Sequence, residues 1–123
     1  MRSPTACNLC GAGGPVHRHH LTGRLAPGGP YLDVDLVLAV CPRCHGAAGG
    51  LHQTLRTLGV EFTPPGVGAL AHRLRRVALH AVLLADARRP LVLEPKSARD
   101  LSALLRDAAS AIDVASSARE GAA

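Results

Sequence analysis

The pattern of hydrophobic and polar positions predicts a β-hairpin in the first third of the chain. Along YLDVDLVLAV, residues 31–40, polar and apolar residues alternate and then give way to an apolar run, which is typical of a strand. Residues 16–20 (VHRHH) are its predicted partner, because the loop-forming segment LAPGGP lies between the two. The second strand would lead directly into Cys41.

After the hairpin, apolar positions recur every three or four residues, which is the spacing of a helix. A short helix is predicted in residues 51–58, and it ends at Gly59. Two longer apolar stripes, in residues 70–84 and 101–115, predict helices that pack on each other, on the preceding module or in a homodimer. We therefore expect an α+β fold.

Composition and charge limit the partners that such a fold would serve. Of the 123 residues, 47% are hydrophobic but only 2% are aromatic, so a metal staple would help the module in residues 1–64 to fold. Residues 65–123 are interpreted as a helical appendage, a helical hairpin. The formal net charge of +5 favours a nucleic acid or, second, an acidic membrane surface. The few aromatic residues argue against recognition by base stacking.

The cysteines predict a structural zinc site. The chain begins without a secretion signal and lacks the roughly 20 consecutive apolar residues of a membrane span, so we expect a cytoplasmic protein with no membrane partner. In that compartment, cysteines more often bind metal than form disulfides. The pairs Cys7-x-x-Cys10 and Cys41-x-x-Cys44 suit a tetrahedral zinc ion, because a two-residue gap lets both thiolates turn toward one ion.

A cluster of histidines lies between the two cysteine pairs. His17, His19 and His20 fall within four positions, and His45 follows the second pair directly. The predicted hairpin and the helix after it would bring His19, His20 and His45 together. A structural four-cysteine zinc site has no use for further imidazoles, so the cluster favours additional metal chemistry.

The combined pattern of C-x2-C, HH-x-x-G-R and D-L-x4-C-x2-C-H resembles the HNH endonuclease family in its four-cysteine zinc form. The resemblance covers residue 7 to about residue 52. It implies a small zinc-stapled ββα-metal finger, here followed by two or three α-helices, that hydrolyses DNA phosphodiester bonds. It also implies that His20 is the general base and that His19 and His45 hold a catalytic divalent cation. Both roles are chemically sensible, because a neutral imidazole is a base near pH 7 and a cation neutralises charge on the reacting phosphate.

The chain departs from the family motif at its central Asn, since the only asparagine is Asn8. Asp35 is the nearest residue that could replace it, and Asp33 is the alternative. Either carboxylate could accept the second ring N–H of His20 and hold its tautomer. The loss of the Asn could equally mean that activity is lost, which would leave a catalytically inactive zinc-finger DNA-binding module.

The predicted ligands also bear on the identity of the second cation. Imidazole ligation suits Mn²⁺, Ni²⁺ or Zn²⁺ at least as well as Mg²⁺. His52 is two helical turns beyond His45 and could be a third ligand, although the favoured interpretation is a partly exposed helix residue. His17 shares a strand face with His19 and could join the site.

Arginines are the predicted contacts to DNA. Arg24 could clamp a phosphate or could equally be a turn-exposed residue without that role. Arg73 and Arg76 lie on a basic face of the first long helix, which is either solvated or directed to DNA. A weaker alternative is a protein–protein adaptor whose leucine stripes form a homodimer.

Overall fold

The structure is a computed structural model and describes residues 6–33, 35–63 and 69–121. In chain order its elements are β1 (His17–His20), β2 (Val37–Val40), α1 (Pro42–His45), α2 (Leu51–Thr57), α3 (Ala69–Asp86) and α4 (Pro95–Gly121). The predicted α+β class is confirmed, with a two-stranded antiparallel hairpin and several helices. Among the helices in this part of the chain, none combines the length and the apolar character needed to cross a bilayer.

The hairpin is shorter than the sequence pattern predicted. β1 and β2 pair antiparallel with His19 opposite Leu38, but β2 begins only at Val37. The Val37 N–H is 3.0 Å from the carbonyl oxygen of Asp35 and 3.2 Å from Ser97 Oγ of α4. This turn interrupts the ladder and leaves Asp33 and Asp35 in the segment that connects the strands.

One hydrophobic core joins the hairpin to the long helices. Its buried members come from the hairpin region, α2, α3 and α4: Cys7, Leu21, Leu36, Leu38, Val40, Leu51, Leu84 and Leu104. The predicted boundary between residues 64 and 65 lies outside the described residues. Because the core takes side chains from both sides of that boundary, the helices and the cysteine-containing module share their packing.

Arg76 of α3 helps to hold this helix against the hairpin. Its side chain is buried, and its guanidinium donates to the backbone carbonyls of His20, Leu21, Val60 and Glu61. Burial lowers the pKa of Arg76 to about 10, so the group stays charged at neutral pH. The prediction that Arg76 contributes to an exposed DNA-binding face is therefore wrong, because its donors are used inside the fold.

Replacing Arg76 by Leu is expected to lower the free energy of unfolding by at least about 3 kcal/mol, since hydrogen bonds from a charged donor are worth roughly 1.5–3 kcal/mol each. Arg75→Leu is the matched control, because Arg75 is the exposed neighbour on the same helix. Its substitution should change stability by no more than about 0.5 kcal/mol. Denaturant unfolding followed by circular dichroism measures both values, and equal losses would contradict the role assigned to Arg76.

Candidate metal and catalytic site

The four cysteines converge on one point. Their Sγ atoms lie within 4.8 Å of one another, and Cys10 Sγ is 3.7 Å from Cys41 Sγ. A tetrahedral zinc ion with Zn–S bonds of about 2.3 Å holds its sulfurs ~3.8 Å apart. The cluster Cys7, Cys10, Cys41 and Cys44 is therefore consistent with the predicted zinc site.

The local backbone orients the sulfurs and places N–H groups near them. The first pair lies in a tight turn that Gly11 closes with a positive φ of 78°, and the Leu9 N–H donates to Cys7 Sγ at 3.4 Å. Burial raises the pKa of Cys7, but the nearby backbone N–H groups outweigh it and lower that pKa to about 6. Burial and bonding among the sulfurs raise the pKa of Cys44. A coordinated cation favours the thiolate form of all four.

A second group of potential ligands consists of His19, His45 and His52, whose ligand atoms also lie within 4.8 Å of one another. The inward-facing side of β1 supplies His19, the last residue of α1 supplies His45, and the first turn of α2 supplies His52. His45 Nε2 is 2.9 Å from His52 Nε2. Metal–nitrogen bonds of about 2.0–2.1 Å in a tetrahedral site place two such atoms ~3.3 Å apart, so the spacing fits a shared cation.

His52 is thus part of the histidine group, although the sequence favoured an uninvolved helix residue. Its Nδ1 lies 3.4 Å from Glu61 Oε1. A neutral ring with its proton on the nitrogen that faces this carboxylate has Nε2 free to bind a cation. The spacing of two helical turns from His45 was the signal in the sequence. The contact with Glu61, which lies beyond α2, was not readable from it.

Burial keeps these imidazoles neutral, which is the form that binds metal. Burial lowers the pKa of His45 to about 4, and it also lowers the pKa of His19 and of His52. For His19 and His45 neighbouring histidines lower the pKa further, because each would repel a second positive charge, whereas Glu61 opposes the lowering at His52. His17 lies beside the group, with its Nδ1 3.0 Å from His45 Nδ1, but its ligand atom is not among those that converge.

His20 is paired with Asp33 rather than with Asp35. His20 Nδ1 is 3.2 Å from Asp33 Oδ1, and the second carboxylate oxygen of Asp33 accepts from the backbone N–H and the hydroxyl of Thr22. Asp35 instead bonds through its backbone carbonyl, which accepts from the Ser97 hydroxyl and from the Val37 N–H. The first-choice partner Asp35 is therefore corrected to Asp33, because the Asp33 carboxylate is held between His20 and Thr22, whereas the described hydrogen bonds of Asp35 are made by its backbone.

These groups open on one cleft of about 260 Å³. Its lining includes His19, His20, Arg24, Tyr31, His45, His52, Glu61 and Arg76. The ring of His20 stacks on Tyr31 with centroids 3.6 Å apart, and Arg24 Cζ lies 4.0 Å from the centre of the same Tyr31 ring. Arg24 therefore lines the cleft, whereas Arg73 is half-buried on α3 and is not among the lining residues.

Comparisons of the chain with protein-family models, with curated proteins and with solved structures find no match. The assignment of this site therefore rests on its residues and on their geometry.

Proposed function

We propose that the protein is a metal-dependent endonuclease of the HNH type, which hydrolyses phosphodiester bonds of DNA. One observation carries the proposal: a histidine held by a carboxylate, His20 with Asp33, lines the same cleft as the three convergent imidazoles. A structural zinc module would need the four cysteines alone. A general base next to a site for a divalent cation is what phosphodiester hydrolysis requires.

His20 is the proposed general base. Its Nδ1–H donates to Asp33, so the lone pair of the neutral ring is on Nε2, which can take the proton from an attacking water. The stacking contact with Tyr31 restrains the plane of the imidazole. Asp33 therefore takes the place of the absent Asn of the motif, because it holds the His20 ring and fixes its tautomer.

The residues proposed to hold the catalytic cation are His19, His45 and His52. When bound, a divalent cation would stabilise the charge that develops on the phosphate and on the leaving oxygen. Arg24 lies at the same cleft and can donate two parallel hydrogen bonds to a neighbouring phosphate oxygen pair. The formal net charge of +5 favours approach of the polyanion.

Incubation of the zinc-loaded chain with supercoiled plasmid tests this function. We expect nicking that requires an added divalent cation and that is at least as fast with Mn²⁺ or Ni²⁺ as with Mg²⁺, because all three proposed ligands are imidazoles. Nicking with Mg²⁺ alone would contradict the assigned ligands. Plasmid binding without cleavage under any metal would contradict the nuclease and favour the DNA-binding zinc module.

A further inference from the structure

A fourth histidine, which is buried, contacts the metal-binding group from the helical appendage. His80 of α3 is 1% exposed, and its Nε2 lies 2.7 Å from Nε2 of His19, which is itself 1% exposed. The two residues are 61 positions apart in the sequence, and His80 has no place in the motif of cysteines and histidines. His80 does not belong to the group in which ligand atoms of His19, His45 and His52 lie within 4.8 Å of one another.

The hydrogen bonds of His80 determine where the protons lie. His80 Nδ1 is 2.5 Å from the carbonyl oxygen of Arg76. A carbonyl can only accept, so Nδ1 carries the proton and Nε2 of a neutral ring is an acceptor. The short contact then requires His19 to donate from its own Nε2. A neutral His19 is left with an unprotonated Nδ1.

That remaining nitrogen of His19 is the second observation. Among the residues that the structure describes, His19 Nδ1 is a buried atom without a hydrogen-bond partner. A buried acceptor left unpaired is costly, and one that belongs to a group of convergent imidazoles has a ready use as a metal ligand. The arrangement matches the general rule that the non-ligating nitrogen of a metal-binding histidine is held by a second polar group.

We propose that His80 is a positioning residue of the metal centre, which holds His19 in the Nε2–H tautomer and thereby leaves Nδ1 to bind the cation. The proposal rests on the metal centre of the proposed function and adds a part that α3 supplies. Helix α3 then contributes to the site through two residues. Arg76 donates to the backbone carbonyl of His20 at the end of β1, and His80, one turn later, orients His19 on the same strand.

The first test is a titration of Ni²⁺ into the zinc-loaded chain, followed by calorimetry. His80→Leu fills the space but cannot accept a hydrogen bond, and we expect it to weaken Ni²⁺ binding by roughly 10–100-fold. His80→Gln places an amide oxygen near the position of Nε2 and should restore affinity to within about threefold, because only the acceptor is needed. His72→Gln, a buried histidine on the same helix outside the group, is the matched control and should bind like the wild type.

Each outcome of the titration has a distinct meaning. Equal losses in His80→Leu and His80→Gln would overturn the proposal and indicate that His80 is itself a ligand. Unchanged affinity in His80→Leu would overturn it as well. Zinc content and circular dichroism verify that every variant is folded.

The second test needs no variant. Long-range ¹H–¹⁵N NMR spectra of the wild-type chain, with zinc at the cysteines and no other metal, report which ring nitrogen is protonated. We expect His80 protonated at Nδ1 and His19 at Nε2, and the reverse tautomer of His19 would overturn the proposal.

The Ni²⁺ titration separates this inference from the proposed function. If the wild type does not bind Ni²⁺, the metal centre itself is refuted. If the wild type binds Ni²⁺ and the substitutions of His80 leave its affinity unchanged, only the role of His80 is refuted.

Discussion

His20→Ala is expected to reduce metal-dependent plasmid nicking by about 10²–10⁴-fold, which is the usual contribution of a positioned general base. The side chain of His20 is not part of the hydrophobic core, and its backbone carbonyl, which accepts from Arg76, is kept in the variant. The variant should therefore retain its zinc and its fold. Gel analysis of nicked and supercoiled plasmid gives the rate, and metal analysis gives the zinc content.

Two carboxylate variants show whether the base acts through the observed pairing. Asp33→Ala removes the acceptor of the His20 Nδ1–H and should lower the nicking rate by roughly 10–100-fold, as is typical when such a supporting group is lost. Asp35→Ala is the matched control two residues away, and it should leave the rate unchanged because the described contact of Asp35 is made by its backbone. An active His20→Ala protein would refute the assigned base. Equal effects of the two aspartate variants would refute the pairing.

Removal of zinc from the four cysteines is expected to unfold the hairpin and α1. Structural zinc contributes on the order of 10–16 kcal/mol of binding free energy in small modules, and this exceeds what a short aliphatic core can replace. The core cluster contains Cys7 itself, and Cys41 and Cys44 pack against it, so release of the ion also disturbs the packing. Chelation should lower the melting temperature and abolish the dispersed NMR signals of β1 and β2, and reloading zinc should restore both.

A weaker chelator provides the control for the second centre. Stripping only the cation proposed at His19, His45 and His52 should stop cleavage and leave the circular dichroism spectrum unchanged, because the cysteine cluster and the hydrophobic core that packs with it stay intact. A melting temperature that is insensitive to full zinc removal would contradict a structural role for the cysteine cluster.

Much of the local structure could be predicted from residue patterns within short stretches of the sequence. The period of the apolar residues predicted the helices that became α2, α3 and α4, since a helix places every third or fourth residue on one face. The spacing of the cysteine pairs predicted their convergence, because two intervening residues let the chain turn back on itself. The bounds of β2 were wrong at its start, where a serine of α4 bonds to the Val37 N–H from 60 positions away.

The sequence by itself determined the element types, the cysteine cluster and the placing of His19 and His45 in one group. The element types and the turn within each cysteine pair depend on residues that are close in the sequence, and the two groups followed from the predicted hairpin, which brings its two strands together. Only the tertiary structure decided that Asp33 holds His20, that His52 joins the imidazoles, and that Arg76 and His80 are buried beneath β1. The physical reason is that hydrogen bonds between distant segments depend on how α3 and α4 pack against the hairpin, and no periodicity of residue types records that packing.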